Sequence, residues 1–354
     1  MTDGDSSMWG GLQPAGDDGR AEARSTSDRE LMRRLTIVLA FVFVFTAAFS
    51  HLVRVYSQKF HDRTATARWI WASHNMSANE PLAFFAAREI ELPPNRVYTR
   101  LKLLGDPEYT LYVNGNEVAG RRVGEERSLD YYDISPLVQT GRNRIVVAVR
   151  APQGAGGLLA AIDIAPETEN WIVTDGQWKI YRQWDPLILQ FDIAGQWERP
   201  VIVGEPPIGR WNYQQIVKRD AGLPPVQVLQ PKEGFALTAL LPKIHTQGGI
   251  AVATAVKARA NAYDFGFTQG RVRLTTGKTS AFSRLVHVRF ANQSYELGFI
   301  EWNLRPIVFA PGETSVTTPE VHHFRYVMAF GSDVRAEVLQ FIPRVDAGSA
   351  VPPG

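Results

Sequence analysis

The chain has 354 residues, 45% hydrophobic and 21% charged, which is enough apolar material and length for two domains. It contains no cysteine, which excludes disulfides, thiol catalysis and cysteine-ligated metals. A formal charge of +2 separates it from dedicated nucleic-acid binders, whose charge is strongly basic, and no nucleic-acid partner is expected.

Residues 1–34 are rich in Gly, Ser, Asp and Arg with no apolar period, and read as a polar, disordered tail. Leu35 to Val53 then runs LTIVLAFVFVFTAAFSHLV, without a charge. Roughly 19 residues rising about 1.5 Å each match the hydrocarbon thickness of a bilayer, and a helix satisfies its own backbone hydrogen bonds in lipid. This segment is expected to be a transmembrane helix, followed by a juxtamembrane linker over 54–66. Arg29, Arg33 and Arg34 precede it, while Arg54, Lys59, Arg63 and Arg68 follow, so the charge bias is slight. A single N-terminal span ahead of a large domain acts as a signal-anchor, placing the tail in the cytoplasm and the large domain in the periplasm of a bacterial inner membrane. The polar stretch ahead of the span is long for a cleaved signal, and no A-x-A site stands out around Ala47 and Ala48.

From Trp69 the pattern becomes β. Leu82–Glu91, Val97–Leu104, Tyr109–Val113, Arg144–Arg150, Leu158–Ile164, Trp171–Thr174 and Trp178–Tyr181 read as strands, with Asn114-Gly115 as a tight turn tolerating positive φ. In RIVVAVR, Ile145, Val147 and Val149 share one face. Ser135-Pro136 opens a short helical turn that ends before Gly141. Short strands punctuated by Gly, Pro and Asn predict a sandwich or jelly roll.

Trp69-Ile70-Trp71, Tyr109-Thr110-Leu111-Tyr112-Val113-Asn114-Gly115, Tyr132-Asp133-Ile134 with Gly141-x-Asn143, and Thr174-Asp175-x-x-Trp178-Lys179 occur in that order. The set resembles the galactose-binding-like jelly-roll module attached to α-L-rhamnosidase-type and β-galactosidase-type glycoside hydrolases. Gly195-Gln196-Trp197-Glu198-Arg199-Pro200 with Gly204-x-Pro206-Pro207 is similar to the way such modules end. After a Pro-rich stretch, Ile250–Val256, Tyr263–Leu274, Val286–Phe290, Phe309-x-Pro311-Gly312-Glu313 and Phe324–Val327 resemble the second β-sandwich that precedes the catalytic barrel of those enzymes. The resemblance implies an all-β chain: a jelly roll over 67–204, a linker over 205–234, a second β-sandwich over 235–346 and a tail over 347–354. No counterpart of the catalytic barrel follows.

Glycosidase chemistry needs two carboxylates across a sugar-sized gap. Asp106, Glu108, Asp130, Asp133, Asp163 and Asp175 are available, but Asp106-Pro107 and Asp175-Gly176 read as turn formers whose side chains cap their own backbone. The seven histidines lack metal-ligand spacing, and neither calcium-loop nor phosphate-loop motifs occur, so no cofactor or metal is expected. Trp69, Trp71 and Trp178 are assigned to the core because of their large area. Candidate contacts to a glycan or protein partner are Tyr131 and Tyr132, of which strand alternation turns one outward, with Trp184, and Arg271 and Arg273 on a common strand face in an acid-free segment. The expected function is non-enzymatic: a membrane-anchored periplasmic scaffold subunit of a larger inner-membrane complex, with respiratory and photosynthetic assemblies as candidates. The alternative is a membrane-tethered carbohydrate-binding protein.

Overall fold

The computed structural model describes residues 18–75, 79–124, 127–166, 168–209, 211–247, 250–300 and 304–342. The first 17 residues and the tail at 347–354 lie outside them. The chain divides into two compact units, residues 1–59 and 60–354.

In the first unit a single helix, α1 (Asp18–Thr64), starts well before the apolar run and continues beyond it into the second unit. Two expectations are corrected here. From Asp18 the tail is helical rather than disordered, because Ala21, Glu22, Ala23, Glu30, Leu31 and Met32 are helix formers next to a helix whose costly nucleus already exists. Arg34 and Glu30 add an i,i+4 pair at 2.9 Å. The juxtamembrane linker is likewise helix through Thr64. Between Glu30 and Thr64, α1 is long and apolar enough to cross a membrane, with Phe41 and Phe43 more than 70% exposed.

The second unit begins with a sandwich of twelve strands: β1 (Trp69–Trp71), β2 (Leu82–Leu92), β3 (Tyr98–Asp106), β4 (Glu108–Val113), β5 (Asn116–Arg122), β6 (Ser128–Asp133), β7 (Gly141–Ala151), β8 (Gly157–Ala165), β9 (Thr168–Val173), β10 (Lys179–Tyr181), β11 (Val201–Gly204) and β12 (Gln215–Arg219). One sheet has the order β11-β1-β8-β3-β6-β12, with β9 beside β8; the other is β10-β2-β7-β4-β5. Between them lies a core including Trp71, Phe84, Leu101, Tyr109, Tyr132, Val147, Ile162 and Trp178. Asn114 and Gly115 take φ of 50° and 85° to close the β4–β5 hairpin, as their sequence predicts. Ile145, Val147 and Val149 do face this core together.

The intervening residues Val146 and Ala148 are also buried, as are Ala83, Phe85 and Ala87 on β2, but on the opposite face of the five-stranded sheet. That face carries a second sandwich, built from β13 (Val226–Leu229), β14 (Glu233–Gln247), β15 (Ile250–Thr276), β16 (Arg284–Ala291), β17 (Arg305–Phe309), β18 (Ser315–Thr317), β19 (His322–Phe330) and β20 (Val334–Phe341). Val308 and Ala310 meet the β2–β7 face in this seam. β15 is one continuous strand where the sequence suggests two. It pairs with β19 up to Gly270 and with β20 from Arg271, thereby passing from one layer to the other. Within the β19 pairing a register irregularity lies between Asp264 and Thr268, where Gly266 takes φ +73°. Phe265, Leu274, Val288, Phe309, Phe324 and Val338 fill the interior.

The expected linker over 205–234 is largely built into the body. Tyr213 is buried, β12 adds in parallel to β6, and β13 pairs with β20. Pro and Gly in this stretch mark turns, and they left the intervening β-branched runs Ile216-Val217 and Val226–Val228 free to join sheets.

Candidate binding surfaces

The structure distributes the predicted contact residues over separate places. Tyr131 and Tyr132 alternate across β6 as expected. Tyr131 is half-buried against Arg100, whose guanidinium donates to its hydroxyl at 3.2 Å. Tyr132 is 1% exposed and is corrected to a core residue, its hydroxyl 2.7 Å from that of Tyr109. The Tyr109 hydroxyl in turn donates to Asp130, which is fully buried and also takes Arg121 at 2.7 Å and Arg219 from β12. This knot ties four strands, β4, β5, β6 and β12, and leaves Asp130 no route to a ligand. Trp184 packs on Phe85 at 4.8 Å in the seam. Trp69, Trp71 and Trp178 are buried in the first sandwich, as expected.

Arg271 and Arg273 share a strand face, but only Arg273 lies at the surface, where it pairs with Glu337 at 2.6 Å. Arg271 is 3% exposed, binds Glu117 on β5 and donates to the Thr318 carbonyl at 2.8 Å; it is corrected to an internal residue. It belongs to a set of three Arg–Glu pairs that cross the seam. Arg150 on β7 makes a bidentate pair with Glu313, both bonds 2.7 Å, and donates to the Val308 carbonyl at 2.7 Å. Arg305 on β17 bridges Glu108 on β4 at 2.8 Å and Glu320 at 2.6 Å. Fork-to-fork geometry of this kind gives direction as well as attraction.

Titratable groups at and beside this third pair are shifted from their ordinary values. Burial pushes the Glu108 carboxyl up, opposed by the Arg305 guanidinium. Burial, then the charges of Arg305, Arg122 and His323, holds His322 down at about 4, so its imidazole is neutral at pH 7. The ring stacks on Phe290 at 4.0 Å, and its Nε2 is 3.9 Å from Glu320, without a hydrogen-bond partner. Two carboxylates, Glu108 and Glu320, thus sit on one guanidinium nitrogen. Glu108 is 5% exposed, which denies it the open sugar-sized gap that acid–base glycosidase chemistry needs. Asp175 accepts a hydrogen bond from the Gln177 backbone, the turn role predicted for it, and Asp133, for which none was predicted, accepts one from the Ser135 backbone. Among the described residues no group of three or more His, Asp or Glu is placed to hold a metal ion.

Two of the open depressions among the described residues set polar groups beside an exposed ring. One, of 710 Å³, lies at the seam between Glu80–Ala83, Arg182-Gln183 and Ala281–Ser283, with Pro311 below. Phe282 stands 81% exposed at its edge. An exposed ring beside carboxylate, guanidinium and amide groups is chemistry suited to a sugar, which offers an apolar face and a rim of hydroxyls. Sequence inspection missed Phe282 because a lone Phe in a loop carries no periodic signal. The other depression, of 350 Å³, is lined by Asn114, Gln139, Arg142, Asn143, Arg144, Gln190 and Phe191. Most of its polar groups are engaged internally: Asn114 bonds to Asn143 at 2.9 Å, and Arg144 binds Asp192, Glu89 and the Ile188 carbonyl.

No family model and no curated protein matches the chain. Among solved structures, it is similar to the α-L-rhamnosidase from Dictyoglumus thermophilum, with 17% identity, a TM-score of 0.42, and coverage of 78% of this chain and 36% of that one. For the α-L-rhamnosidase from Aspergillus terreus the values are 14%, 0.43, 77% and 36%. For the lectin from Pleurotus ostreatus in complex with GalNAc they are 14%, 0.36, 78% and 75%. The chain therefore spans little more than a third of either rhamnosidase.

Proposed function

We propose that this protein is a non-enzymatic, membrane-anchored scaffold subunit, which binds and stabilises a larger inner-membrane protein complex through its β-sandwich surfaces. In this reading the N-terminal tail is cytoplasmic and the sandwiches are periplasmic. The observation that supports it best is the seam. Three Arg–Glu pairs, two of them buried on both sides, and an apolar layer join the two sandwiches into one body, so that partner contacts on either sandwich are held in a set geometry. A preorganised body loses less freedom on docking than two modules on a linker. The carboxylates are bound up in that seam, in the Asp130 knot and in turns, which supports a non-catalytic role. Purification of the full chain in mild detergent is expected to bring down membrane proteins in fixed stoichiometry. A reporter at the C-terminus is expected to be periplasmic, and deletion of Thr2–Ser27 to weaken retention in the complex without unfolding the β body.

A second reading, a membrane-tethered carbohydrate-binding protein, is favoured by one feature, the seam cleft with Phe282, Glu80, Arg182 and Gln183. A glycan array separates the two. Oligosaccharide binding abolished by Phe282→Ala, with no co-purifying complex, would replace the first reading by the second.

A further inference from the structure

From Ile250 to Arg259, β15 pairs with no described strand except β14. Thr238–Gln247 and Ile250–Arg259 therefore form a two-stranded ribbon, which extends about 30 Å at roughly 3.4 Å per residue. Its base is fixed: Ala239, Ala260 and Ala262 are buried with Leu297, Tyr326 and Met328. Further out, Lys243, Ala253, Thr254, Ala255, Val256 and Lys257 are exposed. The sequence has no acid from Gly234 to Tyr263, while Lys243, Lys257 and Arg259 supply three cations with no ion-pair partner among the described residues. By register, Lys243 stands on one face of the ribbon with Leu241, Thr254 and Val256, and Lys257 and Arg259 stand on the other.

We infer that this ribbon is a membrane-surface arm that docks on the anionic phospholipid headgroups of the bilayer holding α1. The inference rests on the membrane-anchored part of the reading above. Apolar and cationic side chains without acids are the composition that anionic interfaces retain, each cation near such a surface favouring binding about fivefold. Tethering by α1 keeps the body at the bilayer, so even weak headgroup contacts become populated. A lipid surface fits better than an added protein strand. Pro242 removes one donor from the β14 edge, and lysine and arginine on the ribbon are the residues that deter edge pairing. The open backbone edges also place the arm among hydrated headgroups and not in the hydrocarbon, where unpaired N–H and C=O groups are costly.

Because the chain has no cysteine, one introduced thiol is a unique label site. The full chain carrying Thr254→Cys, labelled with a polarity-sensitive dye, is inserted in nanodiscs of phosphatidylcholine alone or mixed with phosphatidylglycerol. Ser315→Cys, exposed on β18, is the control site. The expected result is a blue shift and quenching by nitroxide lipids at position 254 in the anionic discs only. Both effects should weaken with added salt, and position 315 should stay unchanged. The variant K243E/K257E/R259E should lower the docked population on the order of a hundredfold. Equal signals in neutral and anionic discs, an unchanged signal in that variant, or no signal at position 254 overturns the arm while leaving the anchor standing. Failure of the chain to enter discs at all overturns the anchor and the arm together.

Discussion

Glu313→Ala tests whether the two sandwiches behave as one body. The Arg150 and Glu313 side chains are 6% and 4% exposed, so the substitution leaves a guanidinium out of water with the Val308 carbonyl as its remaining described acceptor. It also strips the Ala310 amide of its acceptor at 2.8 Å. Removing one partner of such a pair costs about 3–5 kcal/mol, because the surviving charge stays desolvated. At roughly 2–4 °C per kcal/mol, the melting temperature should fall by about 10 °C. The double variant R150M/E313L should recover part of that loss, since an apolar pair of similar volume carries no desolvation penalty. Recovery will be incomplete because the Val308 carbonyl loses its donor, at about 1–3 kcal/mol. Calorimetry on the full chain in detergent measures both variants, and a split into two transitions in Glu313→Ala would locate the lost coupling at the seam. A loss below about 1 kcal/mol for Glu313→Ala, or a double variant no more stable than the single one, would refute the argument.

The folded pKa of His322 lies near 4 against an ordinary 6.5, so the unfolded chain takes up a proton that the folded one refuses. Its contribution is fully present above about pH 6.5 and is lost as pH falls toward 4; His322→Phe should flatten melting temperature against pH in that window and leave it unchanged above. Phe60, 3% exposed and edge-on to Tyr213 at 5.1 Å, anchors the last turn of α1 to the first sandwich; Phe60→Ala should destabilise the body by about 3–5 kcal/mol in denaturant titration. At Gly154, φ is +74° and an added Cβ would lie 2.5 Å from the Glu80 carbonyl oxygen. Gly154→Ala should therefore cost more than about 1 kcal/mol in the same titration, whereas Gly176→Ala, with open space around it, should cost less.

Local patterning made much of this protein legible. An uncharged apolar run has only one low-cost form in lipid, so Leu35–Val53 reads as helix in isolation. Asn114-Gly115 determines its turn through positive φ, and the alternation in RIVVAVR names the core face of β7. The bulky tryptophans Trp69, Trp71 and Trp178 are core because their area is too large to leave in water. What escaped sequence reading depends on surfaces that meet across long separations. Arg271 looks like a solvated cation until β15 lies against β5, and only then does Glu117 receive it. Val146 and Ala148 reveal a second buried face on β7, but not that Val308 and Ala310 cover it. The stretch from Glu205 to Gly234 reads as a linker because proline and glycine signal turns locally, while the strand edges offered by β6 and β20 come from elsewhere in the chain. Periodicity tells which side of an element avoids water; tertiary structure alone decides what takes the water's place, because that partner is set by packing and charge matching between residues far apart in sequence.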